Sequence, residues 1–532
     1  MSQALAVDYA QMPVLGDIAR LHGRDRPRAV ALRFQGRETT YAELDRRTNQ
    51  IAWMLLGAGV GKGERVAYIG KNSDVFFELM LACGKTGAVL TPIGWRLAPP
   101  EIAFILGNAE AKILFVDTDL AAMADLALAE LRIASKAPPP QVVQFGAGSD
   151  FDAWRAAARA DDPQCAVAPG DVALQLYTSG TTGSPKGAML SHDNLISIWR
   201  RSTAAGLDWD VWTPEDVSLV ATPVSHIGGA AWGMRGLLAG STNVVVREFN
   251  ALEALRLIER ERVSKLFLVP ATLQAMVALP EARRIDYSRL KYILYGASPI
   301  AVELLRECID VFSCGFCQLY GMTETAGANV YLPPEDHTAV GNPRMRAAGV
   351  PMPGVQIRIV DERGADLPAH AIGQVATRSA ANMIGYWRLD EATAAAIDGD
   401  GWLLTGDAGL LDEDGYLYIC DRIKDMIISG GENIYPTEVE NAIYGHAKVA
   451  DVAVIGVPDD KWGEAVKAIV VTRPGVSATV EEILAFARGR IAAYKVPKSI
   501  DFVSTLPRNA SGKILRRELR DRYWGGRERR VN

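Results

Sequence analysis

A chain of 532 residues is longer than one hydrophobic core usually organises, so two or more domains are expected. With 49% hydrophobic and 23% charged residues it reads as globular, which excludes a disordered or fibrous chain. A formal net charge of −6 gives no electrostatic footprint for nucleic acid, and six cysteines without framework spacing point to reduced thiols in the cytoplasm.

Met1 to Pro13 holds neither a basic stretch nor an apolar one, so no secretion signal is expected. Apolar runs of strand length then alternate with amphipathic patterns. Strands are predicted at Arg65–Ile69, Ile113–Val116, Val172–Tyr177, Leu266–Val269, Tyr292–Tyr295 and Phe316–Tyr320, and helices at Leu252–Arg260 and Val302–Val311. Pro138–Pro140 marks a loop. This rhythm implies open, largely parallel sheets covered by helices, with ligands at the carboxyl ends of the strands.

After the strand predicted at Val172–Tyr177 comes Thr178-Ser179-Gly180-Thr181-Thr182-Gly183-Ser184-Pro185-Lys186-Gly187, then a helix starting near Ser191. The glycines let consecutive N–H groups converge on an anion, the hydroxyls add donors, and Lys186 adds positive charge. The pattern G-x-x-x-x-G-K-[ST] cannot be aligned on it, which disfavours a P-loop kinase or GTPase. Further along, His226, Arg235 and five glycines interrupt the apolar stretch Leu219–Val246, so it does not read as a bilayer span.

Cys314 and Cys317 have C-x-x-C spacing, but no second pair or paired histidines completes a metal site, and burial as small hydrophobes is expected. Gly321-Met322-Thr323-Glu324 puts a hydroxyl and a carboxylate together at a strand end, a pair suited to a phosphate and its Mg2+. Turn signals at Asp361–Gly364 and Asp412–Gly415 suggest an antiparallel region from 350 to 420. Within it, Asp407 in a tight turn can accept hydrogen bonds from the vicinal hydroxyls of a ribose. The character changes near Asp421–Asp425. Beyond it, a helix at Pro436–Tyr444, strands at Val452–Val457 and Val466–Val471, and a helix at Val480–Ile491 read as a small α+β domain. The basic stretch Arg520–Arg530 reads as a solvated tail.

Collinear along nearly the whole chain, these motifs resemble the acyl-adenylate-forming superfamily: acyl-CoA synthetases, adenylation domains of peptide synthetases and firefly luciferase. The resemblance implies an α/β fold with a large N-terminal domain of layered sheets and helices (1–421), a hinge (422–426) and a small mobile C-terminal α+β domain (427–532). It implies an acid–CoA ligase that uses ATP, Mg2+ and CoA to activate a medium- or long-chain fatty acid or an aryl acid. No nucleic acid or integral membrane segment is expected, and a homodimer stays open.

By the same resemblance, Thr178, Ser179, Gly180, Thr181, Thr182, Gly183 and Lys186 hold the β- and γ-phosphates. Gly296, Ala297 and Ser298 wall the adenine and acyl sites, Gly296 leaving room for a ligand. Tyr320, followed by Gly321, stacks on adenine, Thr323 contacts the α-phosphate, Glu324 holds Mg2+, and Asp407 and Arg422 bind ribose. His226 lies beside the substrate carboxylate, Lys424 is the pivot, and Gly430, Gly431 and Trp462 serve the CoA arm. Lys513, in Leu506-Pro507-Arg508-Asn509-Ala510-Ser511-Gly512-Lys513, reaches the carboxylate and α-phosphate during adenylation. Lys513, Thr323 and His226 are thus the expected catalytic residues.

Gly228, Gly229 and Ala230 are expected to leave volume for an acyl group larger than acetate. No acidic residue suits an amino acid's ammonium, and no carrier domain is attached, which tells against a peptide-synthetase domain. The alternative acceptor is a carrier-protein thiol, whose signal is an insertion after the hinge. None lies between Arg422 and Pro436. Intact Thr323, Glu324, Asp407, Arg422 and Lys513 argue against a nucleotide-binding scaffold.

Overall fold

The computed structural model describes residues 9–134, 138–178, 185–509 and 512–525. Two large sheets form its centre. In the nine-stranded sheet, Val30–Phe34, Thr242–Val245, Val217–Val220, Lys265–Leu268, Tyr292–Gly296 and Gly315–Tyr320 pair in parallel. Antiparallel strands close both of its edges. The seven-stranded sheet is parallel through Val89–Ile93, Arg65–Ile69, Ile113–Asp117 and Gln141–Phe145.

A helix lies wholly inside the molecule. In Asp74–Thr86 every residue is buried, the apolar side chains in the core and the charged Asp74, Glu78 and Lys85 paired with Arg37, Arg47 and Asp45. It meets the helix Ile227–Leu238 where a Cβ on Gly233 would run into the ring of Phe77, so close approach requires glycine there.

The predicted strands are all present, with ends shifted by at most three residues. The region from 350 to 420 is antiparallel as expected, with Gln356–Val360, Gly373–Arg378, Leu403–Leu411 and Leu417–Arg422 pairing in that order. Several strands were not foreseen, among them the one that follows the glycine-rich segment. Lys186–Ser191 pairs antiparallel with Val172–Thr178, so a strand stands between the glycine-rich segment and the helix. The helix does follow at His192–Ala204, capped by the Ser191 hydroxyl on the Asn194 N–H, with the Asn194 side chain returning to the Ser191 N–H. The helix expected to reach Ile491 ends at Arg488, before Gly489.

All strands after residue 422 form one further sheet, from Ile427–Ser429 to Ser499–Phe502. This unit meets the rest of the chain at a few points. Gln274 Nε2 donates to Tyr444 Oη and to the Ala450 carbonyl, at 3.1 and 2.9 Å. Asp421 Oδ2 accepts from the Thr437 N–H and hydroxyl.

Candidate active site

Four segments converge where strands end. Gly315–Tyr320 delivers Tyr320, whose hydroxyl donates to Asp407 Oδ2 at 2.6 Å. Asp407 sits directly across the ladder from Arg422, and Arg422 Nε lies 2.8 Å from its Oδ1. Both carboxylate oxygens are therefore engaged. Arg422 also donates to the Thr405 carbonyl at 3.2 Å. Burial, with the Asp407 charge beside it, holds the Tyr320 phenol well above its ordinary range, so it stays a hydrogen-bond donor.

Beyond Tyr320 the chain turns sharply: a Cβ on Gly321 would collide with the Gly327 carbonyl. Thr323 opens the short helical turn Thr323–Thr325, and Glu324 is buried at 5% exposure. Its Oε1 accepts from Thr178 Oγ1 at 3.3 Å and from Tyr386 Oη at 2.9 Å. This oxygen-rich setting fits a hard cation. Among the described residues no cluster of three His, Cys, Asp or Glu could cage a metal, so an ion here would share its shell with substrate phosphates, as Mg2+ does. Lys186 stands across the ladder from Thr178, its ammonium 5.2 Å over the Tyr386 ring. Ser179, Gly180, Thr181, Thr182 and Gly183 lie outside the described residues.

Three glycine expectations are corrected. At Gly296 a Cβ would strike the Leu319 carbonyl, so its missing side chain serves the neighbouring strand and leaves no space for a ligand. At Gly229 it would strike the Thr222 and Pro223 carbonyls, and at Gly228 it would come within 3.1 Å of Phe267. Ala230 is fully buried. These positions pack a helix start and provide no open acyl volume. Ala297, next to Gly296, has φ +66, a left-handed conformation that is costly for alanine; Ser298 follows it.

His226 occupies the N-cap position of Ile227–Leu238, and its side chain makes no capping bond there. Its Nε2 is buried and has no hydrogen-bond partner among the described residues. Burial, then Arg96, lowers its pKa to about 4, so the ring is neutral. Cys317 is fully buried, Cys314 is partly so, and burial pushes both thiols up. They behave as packing residues, as expected.

From the last sheet, a loop reaches back to these strands. Gly512 has φ +81, and a Cβ on it would lie 3.3 Å from Val269 and 3.6 Å from Ala271. Lys513 follows, its N–H bonded to Asn509 Oδ1 and its carbonyl accepting from the Asn509 N–H. Burial, then the Arg422 guanidinium, lowers the Lys513 pKa to about 8, with Asp407 opposing. The lysine therefore lies within electrostatic range of the Asp407–Arg422 pair. Burial also lowers Lys424, in the turn Ile423–Asp425.

Gly430 and Gly431 form a hairpin tip at φ +61 and +87 between Ile427–Ser429 and Glu432–Ile434. Trp462, 42% exposed, covers this tip, since a Cβ on Gly430 would lie 2.7 Å from its ring.

Sequence reasoning missed Tyr386. Its residue pair, Gly385–Tyr386, adds a short strand to the edge of Lys186–Ser191, and nothing in the local sequence marks the tyrosine that reaches Glu324.

The family model for AMP-binding enzymes matches residues 20–387, and that for the AMP-binding enzyme C-terminal domain matches 438–513. The chain is 41% identical over 525 residues to a fatty acid–[acyl-carrier-protein] ligase of Streptomyces coeruleorubidus, covering 98% of this chain and 99% of that protein. It is also 41% identical over 514 residues to a feruloyl-CoA synthase of an Amycolatopsis species, covering 96% and 99%. Among solved structures, ATP-bound MatB from Rhodopseudomonas palustris superposes with a TM-score of 0.85 at 31% identity, over 95% of this chain and 99% of that one.

Proposed function

This chain belongs to the AMP-binding enzyme family, and from that premise we propose that it activates a fatty or aryl acid as acyl-AMP and passes the acyl group to CoA. It is an ATP-dependent, AMP-forming ligase. The observation that carries the mechanism is the loop of Lys513, whose Gly512 packs beside Val269 and Ala271 and so brings the lysine within electrostatic range of the Asp407–Arg422 pair.

A carboxylate is a poor electrophile. Its oxygen attacks the α-phosphorus of ATP, pyrophosphate leaves, and the acid becomes a mixed anhydride. Negative charge builds on the transferring group, and fixed positive charge aimed there lowers the barrier. We assign that work to Lys513, with Thr323 donating to the α-phosphate and Lys186 holding the phosphates that leave. Tyr320 offers its face to adenine, and Asp407 exchanges its Tyr320 and Arg422 bonds for ribose hydroxyls. Glu324 would hold Mg2+, which supplies charge neutralisation on the phosphates. His226, neutral and with Nε2 unpaired, is suited to donate one hydrogen bond to the acid's carboxylate.

For the second step, the unit after residue 426 turns about Lys424 and withdraws Lys513. Its limited contacts with the large body support such a motion. The CoA thiolate then attacks the acyl carbonyl and AMP leaves. Trp462 and the tip at Gly430 and Gly431 are assigned to the pantetheine arm. We keep the boundaries 1–421, 422–426 and 427–532, a reading that the change of sheet after Arg422 supports. With no helix long and apolar enough to cross a membrane among the described residues, and six free cysteines, a cytoplasmic enzyme is the reading we favour.

The test is pyrophosphate release from ATP and Mg2+ across straight-chain, branched and aromatic acids, with and without CoA. Multiple turnovers that require CoA, on one acid class, are the expected result. The carrier-ligase relative favours a second reading, in which release stalls near one equivalent with CoA and resumes with a phosphopantetheinylated carrier protein.

A further inference from the structure

Glu324 is held by donors from two directions, and both bonds end on one oxygen. Tyr386 Oη reaches Oε1 at 2.9 Å and Thr178 Oγ1 reaches the same atom at 3.3 Å. Tyr386 itself is fixed by backbone: it pairs with Ala188, and the Trp387 N–H donates to the Gly187 carbonyl at 2.8 Å. The neighbouring indole is anchored too. Trp387 Nε1 donates to the Asn108 carbonyl, and the Arg65 guanidinium lies 3.4 Å from the ring centre. On the other side, the Met383 N–H donates to the Glu324 carbonyl. The Tyr386 hydroxyl is thus aimed at Glu324 by a rigid edge strand, and its ring lies under Lys186.

We propose that Tyr386 is a positioning residue that occupies Glu324 Oε1 and leaves Oε2 as the only oxygen this carboxylate offers to a cation. This rests on the reading of Glu324 as the Mg2+ carboxylate. The consequence is selectivity. Mg2+ demands a tight octahedron and takes carboxylates through one oxygen, whereas Ca2+ accepts more ligands and both oxygens of one carboxylate. A Glu324 whose Oε1 is already committed serves the smaller ion. A hydroxyl bonded to a carboxylate is also among the stronger hydrogen bonds, so its loss is measurable.

The test is Tyr386→Phe, which keeps the ring beneath Lys186 and removes only the donor. Mn2+ binding to the enzyme–ATP complex, followed by electron paramagnetic resonance, and the Mg2+ dependence of pyrophosphate release should both weaken by about 10-fold. Calcium is expected to substitute poorly in the wild type and to close part of its gap to Mg2+ in the variant. ATP affinity measured in EDTA should not move, and the thermal midpoint without nucleotide should fall by no more than about 1–3 °C. Unchanged metal affinity overturns the proposal, and so does an equal loss of ATP affinity in EDTA, which marks a merely structural tyrosine. Should Tyr386→Phe fail to fold, Thr178→Val removes the other donor to Oε1 and is expected to shift metal affinity in the same direction. No shift there counts equally against it. A wild type that neither binds Mn2+ with ATP nor releases pyrophosphate sinks the functional reading itself. A competent wild type with an unchanged variant sinks only the role of Tyr386.

Discussion

Two lysines in this molecule have depressed pKa values and opposite meanings. Lys265 is fully buried at the start of a central strand, where its ammonium donates to the carbonyls of Trp209 and Val211 at 3.1 and 2.5 Å. The Trp212 ring lies 4.7 Å away, and the buried ion pair of Arg235 and Asp210 belongs to the same region. Burial lowers its pKa to about 7. Lys513 reaches about 8 through burial and a guanidinium, but from a loop that meets the carboxyl ends of the strands. A perturbed lysine is a candidate functional residue only in such a place. Lys265 has its partners already and no route to a ligand.

The largest effect separates them directly. Lys513→Ala should lower acyl-AMP formation about 100- to 1,000-fold, the usual cost of removing a donor aimed at developing charge. Thioester formation from supplied acyl-AMP should survive in the same variant. Lys265→Met should leave both half-reactions at wild-type rates. Equal loss of both steps in Lys513→Ala would remove it from the adenylation chemistry.

A smaller effect is expected at Asp407, the carboxylate whose charge Lys513 feels. Asp407→Asn leaves the Arg422 guanidinium without its charge partner and weakens ribose recognition. The KM for ATP should rise about 10- to 100-fold, as for hydrogen bonds to charged groups. Tyr320→Phe keeps the ring and loses only the bond to Asp407 Oδ2, so its shift should be the lesser of the two. A larger shift for Tyr320→Phe would mean that the phenol itself contacts substrate.

The pH dependence sharpens the contrast further. Lys513 is charged below its pKa of about 8 and loses that charge as pH rises. The kcat/KM of adenylation, which reports free-enzyme groups, should therefore fall above pH 8, by about tenfold per unit at the limit. Lys513→Arg stays charged throughout and should lose the descending limb, whatever its absolute rate. A limb that persists in the arginine variant belongs to another group.

Much of the site was legible because its chemistry follows strand ends. Tyr320, Thr323 and Glu324 stand just past an apolar run, and Asp407 and Arg422 flank a turn with a clear signal. The glycines were not legible in the same way. Gly296 and Gly229 looked like room for a ligand, yet each absent side chain is filled by a carbonyl from another segment. A glycine in sequence announces that something comes close without saying what. Tyr386 escaped for a related reason: it contacts Glu324 across 62 positions, through an edge strand of two residues with no periodicity to detect. The strand Lys186–Ser191 was hidden by the glycines before it, which suggested a loop running into a helix.

The smallest expected effect is a stability effect, and it belongs to Lys265 alone. Its folded pKa lies below that of an exposed lysine, so between pH 7 and the unfolded value the unfolded chain binds more protons than the native one. Stability therefore rises with pH across that window, and the burial cost is fully present only below it. Substituting Met removes the titrating group, so the thermal midpoint of Lys265→Met should gain less between pH 7 and 9 than that of the wild type. The difference should be on the order of 1–2 °C for a chain of this length. Lys513 titrates in part of the same window, so the double comparison with Lys513→Ala isolates each term. If the wild type and Lys265→Met follow parallel curves, the two carbonyls hold Lys265 charged well above pH 7. The contrast between the two lysines would then rest on position alone.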